Sequence, residues 1–397
     1  MVQKEPTAHP ILSSISRSVY HLSPSLQSNV LNLTDSISSS LDKRFTTVDN
    51  VPFPNTVDIE LTAICNLRCE MCWWWGENGI AKELANDKDS IIHNMLSTEE
   101  VHSIIDKVAP YKPSVYLSGA EVFTRTDIIE ILEYLSKKDL KTSLTTNGTL
   151  IKDKHIEKIS NMRNLRINFS IDGLEDIHDS IRGKGNFQKT SGVIQKLIKA
   201  RGDNKFPFIS TNTTFSPEIL GNMEELIDYL ISLKVDSISF QHLWFTNPNK
   251  ATLHKSRLES EFGIIDSGVD SHVIRNFSKD YLEKLSSEVV KIQNNRYRVP
   301  VRVNPRLNKN QILKYYTDLS FTKRKTCPIP WKKILIKANG DVMFCPDEWI
   351  TEFNLGNIRN SNIAEMWNGE SAQKFRNSLL KNGLFPICGR CCSINMN

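Results

Sequence analysis

Long hydrophobic runs, blocks of one charge and a secretion signal are all missing from this sequence. No stretch of its 397 residues approaches the roughly 18 consecutive apolar residues of a membrane-spanning helix, so we expect no membrane association. The first residues, Met-Val-Gln-Lys-Glu-Pro, lack the apolar core of a secretory signal. The 50 basic and 45 acidic residues are scattered, and a net charge of +5 without a Lys/Arg-rich block argues against a nucleic-acid partner.

Cysteine is scarce, with eight in the chain, and its distribution is uneven. Cys65, Cys69 and Cys72 form one C-x₃-C-x₂-C loop, and the other five lie in the C-terminal region. This grouping favours metal binding over disulfide bonds, because soft thiolates select zinc or iron–sulfur clusters. Thiolates and clusters survive best in a reducing compartment, so we expect a cytoplasmic protein.

The N-terminal cysteine loop supplies three thiolates and has no fourth Cys or His nearby. A structural zinc site would be closed by a fourth ligand. A [4Fe–4S] cluster held by three protein thiolates instead leaves one iron open. The loop alone therefore leaves two interpretations, an open iron–sulfur cluster or half of a zinc site.

From about residue 55 to 245 the sequence alternates strand-like and helix-like segments. The expected strands are short apolar runs, each followed by a helical pattern, at 57–63, 114–118, 141–146, 165–171, 207–213 and 236–242. Such repeats predict an α/β fold with a parallel sheet. The expected architecture is a partial (β/α)₆ TIM-like barrel with its active site at the carboxyl ends of the strands, where the Cys65–Cys72 loop falls.

The remaining segments complete the expected domain organisation. Residues 1–50 read as an N-terminal helical extension, and residues 51–300 as the barrel. Within it, the polar stretch 247–280 is either a substrate lid or a surface insertion. Residues 301–317 read as a bridge to a small C-terminal domain at 318–397, built from a hairpin and helices.

Polar motifs follow the expected strands of this barrel. Ser118-Gly119-Ala120-Glu121 follows the second strand, Thr145-Thr146-Asn147-Gly148 the third, and Ser170-Ile171-Asp172-Gly173 with His178-Asp179 and Arg182-Gly183 the fourth. Together with the cysteine loop, these motifs resemble the radical S-adenosylmethionine (radical SAM) superfamily. The resemblance implies SAM contacts at Met71, Gly119, Ala120, Glu121, Asn147, Ser170, Arg182 and Asn212.

Two of these implied roles are chemically specific. Ser170 would hydrogen-bond the SAM ribose, and Arg182 would pair with the SAM carboxylate, which suits the guanidinium fork. The alternatives are a plain turn at Asp172-Gly173 and a surface charge at Arg182. Met71 stands where many relatives have an aromatic residue against adenine. Gln241 and His242 end the sixth strand as candidate substrate residues, and His242 is equally compatible with a core role.

The C-terminal cysteines lie around an expected hairpin. The strands Ile334–Lys337 and Asp341–Phe344 flank Asn339-Gly340, a favoured turn pair, and deliver Cys345 at the end of the second strand. This pattern resembles SPASM/twitch auxiliary-cluster domains. The resemblance implies a second [4Fe–4S] cluster on Cys327, Cys345, Cys388 and Cys391. A Cys₄ zinc site remains the alternative, and Cys392 is a spare thiol, a swapped ligand or a hydrogen-atom donor.

The resemblance implies an enzyme that cleaves SAM to a 5′-deoxyadenosyl radical, which abstracts hydrogen from a C–H bond. A fully ligated second cluster suits acceptance of an electron, so we expect an oxidative, dehydrogenase-type modification of a small polar or sugar-like substrate. An electron donor such as flavodoxin or ferredoxin is implied. The alternatives are a maturase that cross-links or epimerises a ribosomally made peptide, and a non-catalytic iron–sulfur carrier or zinc-stabilised binding module.

Overall fold

The computed structural model describes residues 47–76, 79–88, 90–265, 268–274, 277–345, 353–391 and 394. Most of the expected N-terminal extension and Cys392 lie outside these residues. Within them, no helix is both long enough and apolar enough to cross a membrane. The chain folds around one 10-stranded sheet of order β10-β9-β8-β1-β2-β3-β4-β5-β6-β7. Its strands are β1 Thr56–Glu60, β2 Ser114–Ser118, β3 Thr142–Thr146, β4 Leu165–Ser170, β5 Phe208–Thr214, β6 Ser237–Gln241, β7 Val301–Asn304, β8 Lys333–Ile336, β9 Asp341–Met343 and β10 Gly356–Asn357.

Strands β1 to β7 are parallel and lie side by side in chain order. Right-handed crossovers, the general rule between parallel strands, place the main connecting helices on one face of the sheet, which is the winding of a barrel. The described helices are α1 Ala81–Leu84, α2 Thr98–Val108, α3 Ile128–Lys137, α4 Asp153–Ile159, α5 Glu175–Arg182, α6 Asn186–Arg201, α7 Met223–Ser232, α8 Pro248–Phe262, α9 Lys279–Asn294, α10 Lys309–Thr317, α11 Ile363–Asn368 and α12 Glu370–Asn382.

The two faces of the sheet differ in chemistry because side chains alternate along each strand. One face is apolar and fully buried beneath the helices, with Val57 and Ile59 on β1, Leu117 on β2 and Ile167 on β4 at 0% exposure. The opposite face is polar and lines the barrel interior, here called the lumen. The apolar face therefore forms the core, whereas the lumen offers polar groups to a ligand.

The expected α/β barrel is confirmed, and the six expected strands all occur. Helix α2 begins with a capping box: Ser97 accepts a hydrogen bond from the Glu100 amide, and the Glu100 side chain accepts one from the Ser97 amide. A seventh parallel strand, β7, and helix α10 occupy the segment 301–317 that we expected to be a bridge. The short pattern Val301–Asn304 could not be recognised as a strand because it has only four residues.

The expected hairpin is present as β8 and β9, but it is not a separate layer. Strand β8 pairs in parallel with β1, and β9 pairs antiparallel with β8, so the hairpin extends the barrel sheet. Because β8 runs parallel to β1, its turn lies at the carboxyl ends of the barrel strands. There the Leu96 amide donates to the Ala338 carbonyl at 2.7 Å. The hairpin turn thus lies at the same end of the sheet as the loops that follow the barrel strands.

The polar stretch 247–280 begins with helix α8, which contacts the C-terminal domain. Arg257 of this helix donates to the carbonyls of Gly383 and Leu384 at 3.0 and 2.8 Å, and to Ser378 at 3.2 Å. Phe262 packs on Phe375 with a ring-centroid separation of 6.0 Å. This part of the stretch is therefore a packed connection between the barrel and the C-terminal domain.

Candidate functional site

The loop of Cys65, Cys69 and Cys72 begins five residues beyond the end of β1. Backbone amides point at two of its sulfurs: Leu67 N–H donates to Cys65 Sγ and Trp75 N–H donates to Cys72 Sγ, both at 3.3 Å. Burial, with smaller contributions from the neighbouring Glu121, Cys69 and Cys72, raises the pKa of the Cys65 thiol to about 12, and the hydrogen bond from the Leu67 amide opposes that rise. The loop thus gathers three thiols, and the sulfurs of two of them accept backbone hydrogen bonds.

Three consecutive tryptophans, Trp73, Trp74 and Trp75, follow Cys72 and pack beside the cysteine loop. The indole N–H groups of Trp74 and Trp75 both donate to the Ala63 carbonyl at 2.8 Å. Trp73 stacks on His272, which belongs to the 3₁₀ helix Gly268–His272 of the polar stretch 247–280, with ring centroids 5.3 Å apart. The loop is therefore covered on one side by part of the segment that we expected to be a lid or insertion.

The segment after β2 runs against the backbone that leads into the cysteine loop. Gly119 has φ +122, and a Cβ there would lie 2.4 Å from the Thr62 carbonyl oxygen, so this close approach requires glycine. The Ala120 amide donates to that same carbonyl at 2.9 Å. The side chain of Ala120 packs in the small apolar cluster formed by Ala63, Trp74 and their neighbours.

Glu121 is only 2% exposed and connects β2 to the turn after β3. Its carboxylate accepts hydrogen bonds from Thr146 Oγ1 and the Asn147 amide, both at 2.7 Å, and from the Phe123 amide at 3.1 Å. Burial raises the pKa of this carboxyl, and the three donors oppose that rise. The carboxylate is thus used within the protein and positions the Asn147 turn.

The Asn147 turn in turn reaches the cysteine loop. Asn147 Nδ2 donates to Asn66 Oδ1 at 3.0 Å, and Asn66 Nδ2 donates to Thr149 Oγ1 at 2.9 Å. Asn66 directly follows Cys65. A chain of hydrogen bonds therefore runs from Glu121 through Asn147 to the residue beside the first cysteine.

The loop after β4 carries a buried ion pair. Asp172 is 0% exposed, and its Oδ2 accepts from Arg182 Nε at 2.5 Å. Arg182 Nη1 lies 3.8 Å from Cys69 Sγ. Burial and the positive charge of Arg182 together lower the pKa of the adjacent His178 to about 4, so this imidazole is neutral. The expected contact of Arg182 with the SAM carboxylate stays a prediction. The guanidinium has five N–H donors, more than these two contacts use.

The carboxyl ends of β4 to β7 present a polar wall, defined as Ser170, Asn212, Thr214, Ser239, Gln241 and Asn304. The strand register places these side chains in two adjacent rows. Ser170, Asn212 and Ser239 form one row, and Thr214, Gln241 and Asn304 the next. All six are half-buried, and each is an uncharged hydroxyl or amide. The wall itself offers uncharged hydrogen-bonding groups, and Arg302 of β7 continues the first row beside Ser239.

The structure brings together most of the expected site residues. Gly119, Ala120, Glu121, Asn147 and Arg182 all contact the cysteine loop or the backbone that leads into it, while Ser170, Asn212 and Gln241 lie on the polar wall. Met71 is half-buried between Cys69 and Cys72. Their contacts to SAM stay predictions.

His242 has a different environment from Gln241. It is 1% exposed, and its Nδ1 shares a hydrogen bond with Tyr316 Oη at 2.9 Å. Phe215 and Tyr315 lie around the ring, with centroids 5.0 and 5.2 Å away. Burial lowers the pKa of His242 to about 3, so the imidazole is neutral. The side chain lies in the aromatic core and not on the polar wall.

The second cysteine set lies at the base of the hairpin. Cys327 precedes β8, and Cys345 follows β9. Burial raises the pKa of Cys345 well above its usual value, and the thiols of Cys327, Cys388 and Cys391 raise it further, so the four groups lie near one another. Because β8 starts at the amino end of β1, this set and the Cys65 loop lie at opposite ends of the barrel strands.

Both cysteine sets fit the binding of iron–sulfur clusters. The seven described cysteines form no disulfide bond, and thiols are the donors that such clusters use. Among the described residues, no group of three or more His, Cys, Asp or Glu side chains is arranged to hold a single metal ion. A four-iron cluster binds each ligand through a different iron and does not need the sulfurs to converge on one point.

Family models match both parts of the chain. The radical SAM superfamily model matches residues 59–230, and the SPASM model, an iron–sulfur cluster-binding domain, matches residues 327–392. The chain belongs to the radical SAM superfamily and carries a SPASM domain. These two domains imply a SAM-binding [4Fe–4S] cluster and an auxiliary cluster.

Known proteins resemble this radical SAM enzyme over different lengths. An AdoMet-dependent heme synthase of Methanosarcina barkeri is 34% identical over 199 residues, which are 49% of this chain and 51% of the relative. The subtilosin biosynthesis protein AlbA of Bacillus subtilis is 24% identical over 338 residues, 81% of this chain and 61% of AlbA. The crystal structure of Streptococcus suis SuiB bound to precursor peptide SuiA aligns with TM-score 0.59 and 16% identity, covering 93% of this chain and 77% of SuiB. SuiB was also crystallised with S-adenosylmethionine.

Sequence reasoning missed several polar residues of the lumen. On β1 and β8, Lys333 pairs with Asp58 at 2.6 Å, and Lys337 pairs with Glu60 at 3.1 Å. Asn304 of β7 completes the polar wall. The signal was present in β1, where Asp58 and Glu60 alternate with apolar residues. The pairing with lysines on β8 could not be read, because it needs the hairpin to join the barrel sheet.

Proposed function

We propose that this radical SAM enzyme oxidises a small polar substrate, sugar-like in its hydrogen-bonding groups, that binds in the lumen. The polar wall carries this proposal, since its six hydroxyl and amide side chains match a ligand rich in neutral donors and acceptors. When bound, the two clusters supply the electron that cleaves SAM and accept the electron that leaves the substrate.

The placement of the two cysteine sets supports an oxidative outcome. They lie at opposite ends of the lumen, and Lys333, which lies in the lumen, is near enough to Cys345 for its charge to lower that thiol's pKa. The substrate loses one hydrogen atom to the 5′-deoxyadenosyl group. An auxiliary cluster held by Cys327, Cys345, Cys388 and Cys391 would accept the second electron, and the substrate would release one proton to solvent. The sum is a two-electron oxidation, and the electron returns to the flavodoxin- or ferredoxin-type donor pool of a reducing cytoplasm.

Residues of the chain position SAM and the substrate and limit the entry of water. The Glu121–Asn147–Asn66 hydrogen bonds fix the turn beside the cysteine loop, where SAM is expected. The six side chains of the polar wall orient the substrate. Trp73 and His272 cover the loop on one side and limit the entry of water.

Deuterium transfer tests this assignment directly. Anaerobically reconstituted enzyme, SAM and reductant are incubated with perdeuterated monosaccharides and cyclitols, and separately with deuterated peptides of varied sequence. We expect deuterium in 5′-deoxyadenosine with a member of the first panel, and loss of that transfer in Gln241→Leu. Lys255→Ala, an exposed change on α8, is the matched control. Transfer from peptides alone overturns the small-molecule assignment.

Peptide maturation is the second candidate, and the comparisons favour it. AlbA is described by its role in biosynthesis of a bacteriocin, and SuiB was crystallised with a precursor peptide. Peptide groups are also neutral donors and acceptors, so the polar wall accommodates them. Cys392 would serve as the hydrogen-atom donor of an epimerase. In that case Cys392→Ala abolishes the epimerised product while deuterium transfer to 5′-deoxyadenosine persists.

A further inference from the structure

The carboxyl end of α5 contacts the cysteine loop at two consecutive positions. The Glu70 amide donates to the Ile181 carbonyl at 3.0 Å. In the next residue of the helix, Arg182 Nη1 lies 3.8 Å from Cys69 Sγ, within hydrogen-bonding distance for sulfur. Cys69 itself is buried, with 8% exposure. A permanent positive charge therefore lies directly beside one cluster ligand.

Asp172 fixes the direction of this charge. Its Oδ2 accepts from Arg182 Nε at 2.5 Å, and its Oδ1 accepts from the Thr214 amide at 2.9 Å. The side chains of Arg182 and Asp172 are 14% and 0% exposed, so solvent screens the arrangement little. The Asp172 carboxylate thus links the Arg182 guanidinium to the end of β5, while Arg182 Nη1 points at Cys69 Sγ.

We propose that Arg182, positioned by Asp172, raises the reduction potential of the SAM-cleaving cluster through its contact with Cys69 Sγ. Reduction adds one electron and makes the cluster more negative, so a fixed cation and an N–H···S hydrogen bond stabilise the reduced form. The family resemblance gives Arg182 only a contact with the SAM carboxylate. The role proposed here acts on the cluster before SAM binds.

The test is a redox titration of the intact two-cluster enzyme without SAM, poised with titanium(III) citrate and followed by EPR. The signal that changes when SAM is added afterwards identifies the SAM-cleaving cluster. For Arg182→Gln we expect the equilibrium constant for one-electron reduction of the cluster to fall about tenfold. This corresponds to a shift of the midpoint potential by about 59 mV to more negative values. Arg182→Lys, which keeps the charge but not the fork, shifts less.

Arg201→Gln is the matched control. Arg201 is also a buried arginine paired with an aspartate, Asp236, but it precedes β5 at the opposite end of the strands. Its replacement leaves the potential unchanged. If Arg182→Gln loads iron poorly, the double variant Asp172→Asn/Arg182→Gln removes both charges and still shifts the potential negative, because the lost cation is the nearer group.

An unchanged potential in loaded Arg182→Gln, together with weakened SAM binding, overturns the inference and leaves only the carboxylate contact. The inference rests on the cluster assignment of the proposed function, but the two fail separately. A wild-type chain that loads iron and cleaves no SAM refutes the function, whereas an unshifted potential refutes only the tuning role of Arg182.

Discussion

Replacing His242 by Phe separates a core histidine from a catalytic one. The ring is 1% exposed and surrounded by Phe215, Tyr315 and Tyr316. Phenylalanine fills nearly the same volume among these rings. It loses the hydrogen bond to Tyr316, which is worth about 1 kcal/mol of unfolding free energy. We therefore expect His242→Phe to fold at pH 7 and to cleave SAM at close to the wild-type rate.

The pH dependence of stability gives the magnitude. The pKa of His242 is about 3 in the folded protein against 6.5 in the unfolded chain. Between these values the unfolded state binds the extra proton, so the free energy of unfolding falls as the pH falls. From pH 7 to pH 5 the unfolded histidine becomes protonated and the folded one does not, which removes about 2 kcal/mol of stability. Burial raises the pKa of the neighbouring Tyr316 well above its usual value, so this phenol stays neutral in this range.

Anaerobic urea unfolding of both proteins at pH 7 and pH 5 measures this difference. His178 and His272 are also buried with lowered pKa values, but they are present in both proteins and cancel. We expect the wild type to lose about 2 kcal/mol more than His242→Phe over this interval. Equal losses would show that His242 titrates normally, and abolished SAM cleavage by the variant would place it in the active site. Either result refutes the reasoning.

Three further outcomes follow from the site and its supports. Glu121→Gln places an NH₂ group against Thr146 and Asn147, which donate hydrogen bonds to the carboxylate. We therefore expect calorimetry to show SAM binding weakened about tenfold, or by about 1.4 kcal/mol. An unchanged affinity would contradict a positioning role for Glu121. Arg257→Ala breaks three hydrogen bonds to the C-terminal domain and lowers the free energy of unfolding by about 2 kcal/mol. Lys255→Ala, which removes an exposed ion pair of the same helix, lowers the free energy of unfolding by less than about 1 kcal/mol. Equal losses in the two variants would contradict the role of Arg257 in holding the C-terminal domain. Cys391→Ser lowers the iron content from about eight to about four per chain while reductant-dependent 5′-deoxyadenosine formation persists; full iron content contradicts the ligand assignment.

The barrel could be predicted because its signals are local. Each parallel strand has one face buried by helices, so β2 to β6 alternate buried and lumen-facing residues and are separated by helical patterns, and the capping box at Ser97 marks the start of α2. Strand β7 is too short for such a signal. The continuation of the sheet through β8 depends on pairing between residues more than 270 apart, such as Thr56 and Lys333, which periodicity cannot show.

The site was predictable where a motif carries its own chemistry. The cysteines and the turns at Gly119 and Asn147 lie where the spacing and the family resemblance indicated. The hydrogen-bond partners of Glu121 and Arg182 could not be predicted, because they lie far away in the sequence. The Glu121 carboxylate and the Arg182 guanidinium, whose contacts to SAM stay predictions, also make hydrogen bonds within the protein. The core position of His242 likewise depends on Tyr316, which is 74 residues away.

The most direct test of the whole account is SAM cleavage by the reconstituted enzyme. The chain is loaded anaerobically with iron and sulfide, its iron is counted, and 5′-deoxyadenosine is measured with and without reductant. We predict about eight irons per chain and reductant-dependent 5′-deoxyadenosine. Replacing Cys65, Cys69 and Cys72 by Ala abolishes that product and leaves about four irons. Zinc in place of iron, or a chain with about eight irons that makes no 5′-deoxyadenosine, would contradict the account.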